Sequence, residues 1–580
     1  MPRFIPCWCL SQKGMVFIII IMKIVIIGGV AAGLKAAAKA RRCDPHAEIT
    51  VVEKGTLISY GACGLPYYVE AQVDDINDLM KTPAGALRNP DFFHRVKDIR
   101  VLPKTLATGI EREKKIVFVT NTDTGEEAVL PYDKLVIATG ATPIQPDLPG
   151  YSLANIVQFW HPQDARVIRQ GLEQGKFNEV VIIGAGLIGL EVAAALTIWG
   201  VKISVIEQKE HIFPAFLDAE IAQNAEKYLR GQGISLLVDE KVTGFEGETA
   251  VTAVKTNKRT VSADLVILAV GVRPNVELAK RAGLELGMTG AIAVDATLQT
   301  SDPDIYAGGD CIENTNIVSG QKVFAPMGSL ANRHGRIIGE NLFGMKRQFK
   351  GVLNTVIVKL AELNVGKTGL TEREAKALGY EYVTVITAGH DKPHYMEDAK
   401  LITIKLIAEV KTHRLLGMQA VGQGEIAKRI DVAAAVLTLG GTVEDITDID
   451  LSYAPPYNSP IDSIAVTANS LLNKLEGKLK GLPPLEAQEM LRDNKTVFLD
   501  VRTPAEYKEE QLENCGNVKH IPLGELRSRY QELNRDDEIV AFCKISLRGY
   551  EAEGILEGLD FKNVKVLEGG IFSWPFGGEK

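Results

Sequence analysis

The chain carries one supersecondary unit twice. Lys23 to Ile27 is an apolar run that leads into Gly28-Gly29-Val30-Ala31-Ala32-Gly33. An alanine-rich stretch through Arg42 follows, then a second apolar run, Glu48 to Val52, that ends at Glu53. The pattern recurs: Val180 to Ile183 leads into Gly184-Ala185-Gly186-Leu187-Ile188-Gly189, a helical stretch, Ile203 to Ile206 and Glu207. Runs that are apolar throughout belong to parallel strands buried on both faces. The glycine turn lets a pyrophosphate approach a helix N-terminus, where free N–H groups and the helix dipole favour anions. The acid at the end of the second strand accepts ribose hydroxyls. The first turn has Val30 at its middle glycine position, whereas the second is complete. One such turn is weak evidence; two require an α/β protein with two dinucleotide sites.

Gly28, Gly33 and Glu53 are assigned to the first site, and Gly184, Gly186, Gly189, Glu207 and Gly271 to the second. The simplest pair of ligands is a flavin and a nicotinamide. Glu207 suits a free 2′-hydroxyl and repels a 2′-phosphate, which favours NADH; nearby Lys209 leaves NADPH open.

The 580 residues give a soft prior of about three or four domains. Apolar content of 46% and charged content of 24% are those of an ordinary globular protein. A net charge of -8 without a basic stretch argues against nucleic acid. The seven cysteines lack pairing or C-x₂-C spacing, as expected in a reducing cytoplasm and against a metal site. Met15 to Met22 resembles a signal h-region but has no small-residue cleavage site and runs straight into the first strand. Met22 is therefore expected to be the natural start, with residues 1–21 an extension and Cys7 and Cys9 without function. No other segment is long and apolar enough to span a membrane.

Cys63 sits in Ser59-Tyr60-Gly61-Ala62-Cys63-Gly64-Leu65-Pro66-Tyr67-Tyr68, with no second cysteine nearby. A lone thiol beside a flavin cannot close an internal disulfide. It cycles through a mixed disulfide, a persulfide or a sulfenic acid, which points to reduction of sulfur or peroxide.

Two further segments, Leu135-Val136-Ile137-Ala138-Thr139-Gly140-Ala141-Thr142-Pro143 and Thr300 to Asp310, complete a resemblance. From about Met22 to Tyr457 the chain resembles the two-dinucleotide flavoprotein disulfide reductases. The resemblance implies that Thr139 and Gly140 approach FAD and that Asp310 binds its ribityl chain. It also implies that Gly328 to Arg336 starts a helix facing the flavin. Ala331 would then lie at the flavin and Asn332 and Arg333 near the thiol. His334 is expected at the helix surface, and Cys311 as a packed small residue.

Dithiol members carry C-x₄-C, but Ile58 holds the partner position here. The chain is thus similar to the single-cysteine branch, which holds coenzyme A-disulfide reductases, NADH oxidases and peroxidases, and persulfide reductases. Its coenzyme A-binding members imply phosphate contacts from Lys39 and Arg42, beside Arg41, and a contact from Ser59. The bland alternative is a solvated helix end whose cations suit the dipole. Leu451-Ser452-Tyr453-Ala454-Pro455-Pro456-Tyr457 and Lys392-Pro393-His394-Tyr395 resemble signatures of the same group. They imply a homodimer in which Tyr453 and Tyr395 reach the partner's thiol, with Tyr457 the alternative to Tyr453. Their phenols would protonate a departing thiolate or hold a persulfide.

A new α/β pattern follows: Val497 to Tyr507, then Glu538 to Phe542 ending at Cys543, then Lys544-Ile545-Ser546-Leu547-Arg548-Gly549-Tyr550, then Val564 to Glu568 before Gly569-Gly570-Ile571-Phe572-Ser573-Trp574. Cys543 opens a loop into a helix N-terminus, where backbone N–H groups and Arg548 favour a thiolate. Such a thiolate takes up sulfane sulfur as a persulfide. Residues 485–580 resemble a single rhodanese domain. Asp500 and Arg502 are expected to shape the loop by pairing, Lys544 and Ser546 to tune donor preference, and Cys515 to be unimportant.

The expected fold is α/β. An FAD-binding domain spans 22–150 and 273–345, an NADH-binding domain 151–272, an α+β dimerisation domain 346–466, a linker 467–484 and a rhodanese domain 485–580. The whole resembles coenzyme A-disulfide reductase/rhodanese fusions. This implies NADH-dependent reduction of persulfide, polysulfide or coenzyme A disulfide, with the rhodanese domain delivering sulfane sulfur. The rivals are an NADH oxidase or peroxidase cycling through Cys63 sulfenic acid, and a non-enzymatic redox-sensing sulfur relay.

Overall fold

A computed structural model describes residues 21–491, 495–512 and 516–576. The expectations for residues 1–20, including Cys7 and Cys9, and for Cys515 lie outside the described residues.

The repeated unit produces two sheets of the same construction. In the first, five parallel strands run in the order Ile305–Ala307, Lys134–Ile137, Lys23–Ile27, Glu48–Val52, Arg100–Leu102. In the second the order is Ser235–Leu237, Lys202–Ile206, Glu179–Ile183, Leu265–Leu268, Ile156–Gln158, also parallel. Their central strands are buried along almost their whole length, as continuous apolar runs require.

The two turns owe their glycines to close main-chain approach. Gly28 has φ +116°, and a Cβ there would stand 2.0 Å from the Ala138 carbonyl oxygen. A Cβ on Gly184 would stand 2.4 Å from the oxygen of Ala269, the corresponding position of the second unit. Small residues also let the helix Ala32–Cys43 pack closely on the helix Gly328–Asn341. A Cβ on Gly335 would lie 2.4 Å from the Ala32 oxygen, and one on Gly339 2.8 Å from the Ala36 oxygen. This contact fixes the start of the second helix over the first glycine turn.

The third sheet is antiparallel, ordered Val356–Leu360, Leu363–Gly369, Leu415–Gly422, Leu401–Glu409, Tyr382–His390. The helices Ala427–Leu439 and Ser463–Leu475 pack on it. The second of these differs from expectation, because residues 467–475 were read as the start of a linker. Ile464, Thr467, Ala468 and Leu471 are buried at helical spacing. Thr467 Oγ1 also lies 2.7 Å from Thr387 Oγ1 on the sheet. The Lys-, Gly- and Pro-rich composition that suggested a linker begins only after this helix.

The last sheet is parallel, ordered Gly481–Leu482, Val564–Leu567, Ile539–Phe542, Val497–Asp500, Val518–His520. It docks on the edge strand Tyr382–His390. Buried Glu568 accepts the Ile386 N–H at 2.8 Å and pairs with Lys474 at 2.5 Å. Ser573 Oγ lies 2.8 Å from Thr403 Oγ1, and the Ser573 carbonyl accepts from Asn224 Nδ2 at 3.1 Å. Beside this junction, fully buried Lys405 meets Asp218 at 3.2 Å, Glu220 at 3.4 Å and Glu372 at 2.5 Å. These pairs tie the helix Ala219–Gly231 to the antiparallel sheet.

Candidate active site

Cys63 lies on the single turn Ala62–Gly64 that leads into the short helix Leu65–Val69. Cys63 is exposed in the single chain. Desolvation, then the charges of Glu191 and Asp310, push the thiol pKa up. The opposing influence is the helix Gly328–Asn341, since a Cβ on Gly328 would stand 3.8 Å from Cys63 Sγ. The positive end of a helix of this length favours a thiolate. Ile58, at the position a second redox cysteine would take, is buried in the apolar core.

Asp310 lies beyond the strand Ile305–Ala307, and desolvation raises its carboxyl to about 6. Its Oδ1 is buried without a hydrogen-bond partner. An orphaned acceptor is the feature a hydroxylated chain such as ribityl would satisfy. The first turn therefore fits FAD by its geometry and by this vacant acceptor. Thr139 and Gly140 are placed next to it: Thr139 Oγ1 donates to the Asn275 carbonyl at 2.7 Å, and Asn275 Nδ2 donates to the Thr139 carbonyl at 2.8 Å. Gly140 adopts φ +67° with open space where a Cβ would be. Ala331 is buried against Gly309.

Both strand-end acids are held by main-chain N–H groups. Glu53 accepts from Gly29 at 2.7 Å and Gly55 at 2.8 Å. Glu207 accepts from Ala185 at 2.9 Å and Lys209 at 2.9 Å. The side chains are thereby aimed along their turns, which is the orientation a ribose contact needs. Gly186 has nothing within 4 Å of an added Cβ, so the second turn offers a cradle. A Cβ on Gly33 or Gly189 would strike the carbonyl oxygen of its turn's first glycine, Gly28 or Gly184. Gly271 has φ +102° and lies near Ile144.

Sequence reasoning missed Glu191. It is the one charge in the helix Leu187–Leu196, and desolvation pushes its carboxyl up to about 7. It lines a small recess with Tyr67, Glu70 and Lys359. A lone acid in an apolar helix was the available signal.

His334 corrects an expectation. It is fully buried rather than at the helix surface, accepts the Gly309 N–H at Nδ1 (3.2 Å) and meets the Phe349 ring edge-on. Burial, then Arg333, push its pKa down to about 3, so it is a neutral packing residue. Arg333 itself stacks over the Phe349 ring at 5.0 Å, and Asn332 Nδ2 caps the Gly328 carbonyl at 2.9 Å. Cys311 is packed, as expected.

The cationic helix end divides by role. Arg41 is committed to the carbonyls of Lys97, Pro45 and Asp98, and Lys39 pairs with Glu340 at 2.9 Å. Arg42 is exposed and makes no hydrogen bond or ion pair among the described residues. Ser59 is buried beside the turn with φ +54°. Tyr395, Tyr453 and Tyr457 are 65%, 50% and 72% exposed in the single chain.

Cys543 is buried at the end of the strand Ile539–Phe542, before the helix Leu547–Glu557. Arg548, from the first turn of that helix, lies near enough for its charge to act on Cys543. Glu506 holds the same guanidinium through bonds of 2.6 and 2.8 Å, and this pairing, led by the Arg548 bond, lowers the Glu506 carboxyl to about 2. Arg502 forms a buried fork with Asp500, with bonds from 2.6 to 3.1 Å, and lies over the Phe542 ring. The pair thus stiffens the strand end next to the thiol.

Two dinucleotide turns, a lone thiol at the first of them and a second thiol in a separate parallel-sheet domain define a pyridine nucleotide-linked redox protein. The comparisons agree. Residues 22–328 match the pyridine nucleotide-disulphide oxidoreductase model, 355–463 its dimerisation domain and 483–575 the rhodanese-like domain. The chain belongs to the pyridine nucleotide-disulphide oxidoreductase family and carries a rhodanese-like domain at its C-terminal side. It is similar to the CoA-dependent NAD(P)H sulfur oxidoreductase of Pyrococcus furiosus, 39% identical across 77% of this chain and 99% of that one. An NADH oxidase of Methanocaldococcus jannaschii is 33% identical across 79% of this chain and 100% of its own. The solved NAD-dependent persulfide reductase of A. fulgidus superposes with a TM-score of 0.91 at 43% identity, covering 95% of this chain and 100% of that one.

Proposed function

We propose that the protein is an NADH-dependent flavoprotein that reduces sulfane sulfur, held as coenzyme A persulfide or polysulfide, and releases hydrosulfide. The observation that carries this reading is the pair of separated lone thiols, Cys63 at the flavin fold and Cys543 beside Arg548. Among the described residues neither is paired in a disulfide, so on this reading each exchanges sulfur with a mobile carrier. The likeness to a CoA-dependent sulfur oxidoreductase and to a persulfide reductase supports the same chemistry.

The Cys63 thiolate attacks the inner, carbon-bound sulfur of a coenzyme A persulfide. A Cys63–S–S–CoA bond forms, the outer S–S bond breaks, and the departing sulfur takes one proton to leave as hydrosulfide. Bound FAD supplies two-electron transfer from NADH to that mixed disulfide. The Gly328 helix end stabilises the thiolate between turnovers. Arg42 is the cation available for the carrier's phosphates, with Lys39 and Ser59 flanking it. Tyr395 and Tyr453 of the partner subunit deliver the proton to the departing sulfur. Cys543 takes sulfur from a donor and passes it to the carrier.

Anaerobic NADH oxidation with hydrosulfide detection tests the reading. Fast turnover on coenzyme A persulfide or polysulfide, with hydrosulfide released, is expected. Preference for coenzyme A disulfide with little hydrosulfide would overturn it. The NADH oxidase likeness favours a second reading, in which Cys63 cycles through sulfenic acid. Rapid NADH-driven oxygen consumption without sulfur substrate would establish that one instead.

A further inference from the structure

Tyr395 and Tyr453 stand on separate segments, and one side chain joins the two. Arg429 lies in the helix Ala427–Leu439 and is among the largest fully buried side chains of the described residues. Its guanidinium donates in three directions. Nη2 bonds the Asp391 carbonyl at 2.5 Å and Asn458 Oδ1 at 3.3 Å. Nε bonds Asp462 Oδ1 at 3.1 Å, and Nη2 lies 2.9 Å from Asp462 Oδ2. Nη1 bonds the Glu425 carbonyl at 2.5 Å and the Glu425 carboxylate at 3.0 Å. A planar fork of donors matches this set of acceptors, whereas an ammonium is a point charge on a flexible stem.

Asp391 closes the turn that bears Tyr395. Its N–H donates to the Lys400 carbonyl at 2.9 Å, its Oδ1 accepts the Lys400 N–H at 2.9 Å, and its Oδ2 accepts the Glu425 N–H at 3.0 Å. Asn458 closes the loop that bears Tyr453. Its N–H donates to the Ala454 carbonyl at 3.0 Å, and its Nδ2 donates at 3.4 Å to the carbonyl of Ser452, the residue before Tyr453. Asp462 anchors the hub, because its Oδ1 also caps the helix Ser463–Leu475 through the Ile464 N–H at 2.9 Å. Neither 391–400 nor 451–458 contains helix or strand, so no ladder of their own fixes the two segments. The bonds to Arg429 tie both to rigid helices.

We propose that Arg429 is the positioning residue for both phenols: its buried guanidinium fixes the Tyr395 turn and the Tyr453 loop to one point, and so sets the spacing at which the pair meets the partner's thiol. This inference rests on the reading that the phenols protonate the sulfur displaced at Cys63. In that step a bond forms from Cys63 to the carbon-bound sulfur and the S–S bond of the persulfide breaks. The terminal sulfur leaves with the electron pair and takes a phenolic proton, which solvent later restores. A weakly basic thiolate displaced from the same carrier leaves without that proton. Loss of position is therefore felt by the first kind of substrate and not by the second.

The test is single-turnover release by the full chain after reduction with NADH, on coenzyme A persulfide and on the mixed disulfide of coenzyme A with a nitrobenzenethiol. In Arg429→Lys and in Asn458→Ala hydrosulfide release slows about tenfold or more, while nitrobenzenethiolate release stays within about twofold. Amide hydrogen exchange reads the same hub without turnover. Arg429→Lys speeds exchange in both 393–399 and 452–458, and Asn458→Ala only in 452–458. Asn458→Ala leaves the bonds from Arg429 to Asp391 and Asp462 in place, so it decides the matter where Arg429→Lys fails to fold. Equal slowing on both substrates, or unchanged hydrosulfide release, overturns the positioning role. Tyr395→Phe/Tyr453→Phe separates the two ideas. If it releases hydrosulfide at the parent rate, the role given to the phenols fails, and with it the reason for the hub. If it alone slows, the phenols stand and Arg429 is only structural.

Discussion

At the scale of single residues, the two thiols divide the labour. Cys63→Ser is expected to abolish NADH-driven hydrosulfide release while leaving thiocyanate formation from thiosulfate and cyanide intact. Cys543→Ser is expected to do the reverse, sparing reduction of a free coenzyme A persulfide. Paired hydrosulfide and thiocyanate assays check this, and full hydrosulfide release from the Cys63 variant would sink the scheme. The glycine turn is equally sharp. Gly28→Ala places a methyl 2.0 Å from a carbonyl oxygen at a positive φ. The backbone strain alone costs about 1 kcal/mol, and the clash adds to it. The turn must move, so the variant should purify without flavin absorbance, whereas Gly186→Ala, which meets open space, should retain the flavin.

At the scale of elements, one buried acid, Glu568, stands among the contacts that dock the last sheet on the antiparallel one. Glu568 is buried, and desolvation raises its pKa despite Lys474 and the Ile386 N–H. A carboxyl whose folded pKa is raised binds protons more tightly in the native state. Its contribution to stability is therefore fully present below the ordinary carboxyl pKa and is lost as pH rises through the raised value. Glu568→Gln keeps the acceptor and removes the charge, so it should flatten this fall. Thermal unfolding of parent and variant from acid to neutral pH measures it, and parallel profiles would refute it.

The same scale shows what the sequence could convey. Both glycine units, the strand-end acids and the two thiols were legible because each rests on local spacing. His334 was not read correctly, although Leu330, Ala331, His334, Gly335 and Ile338 fall on one buried face. A polar residue within a helical stripe reads as surface until the partner helix and Phe349 are known. Residues 467–475 were lost to the composition of the segment that follows them. The docking of Glu568 on the Ile386 N–H was beyond any local pattern, since the two belong to separate sheets.

At the scale of the whole molecule, the reaction needs two chains if Tyr395 and Tyr453 act on the partner's Cys63. Both phenols are half or more exposed in one chain, and the segment 355–463 matches a dimerisation domain. In a closed twofold dimer each site takes its thiol from one subunit and its tyrosines from the other. Mixing Cys63→Ser chains with Tyr395→Phe/Tyr453→Phe chains distinguishes this from action within one chain. After random exchange, half of the dimers are hybrids, and each hybrid holds one site with native thiol and native tyrosines and one with neither. Two inactive preparations should therefore recover roughly a quarter of the parent's hydrosulfide release per site. If the tyrosines served their own chain's thiol, every hybrid site would lack one component and the mixture would stay inactive. The readout is hydrosulfide formation before and after subunit exchange, with exchange itself verified by a size tag on one variant. Recovery would make dimerisation a catalytic requirement, and a silent mixture of verified hybrids would return the tyrosines to packing.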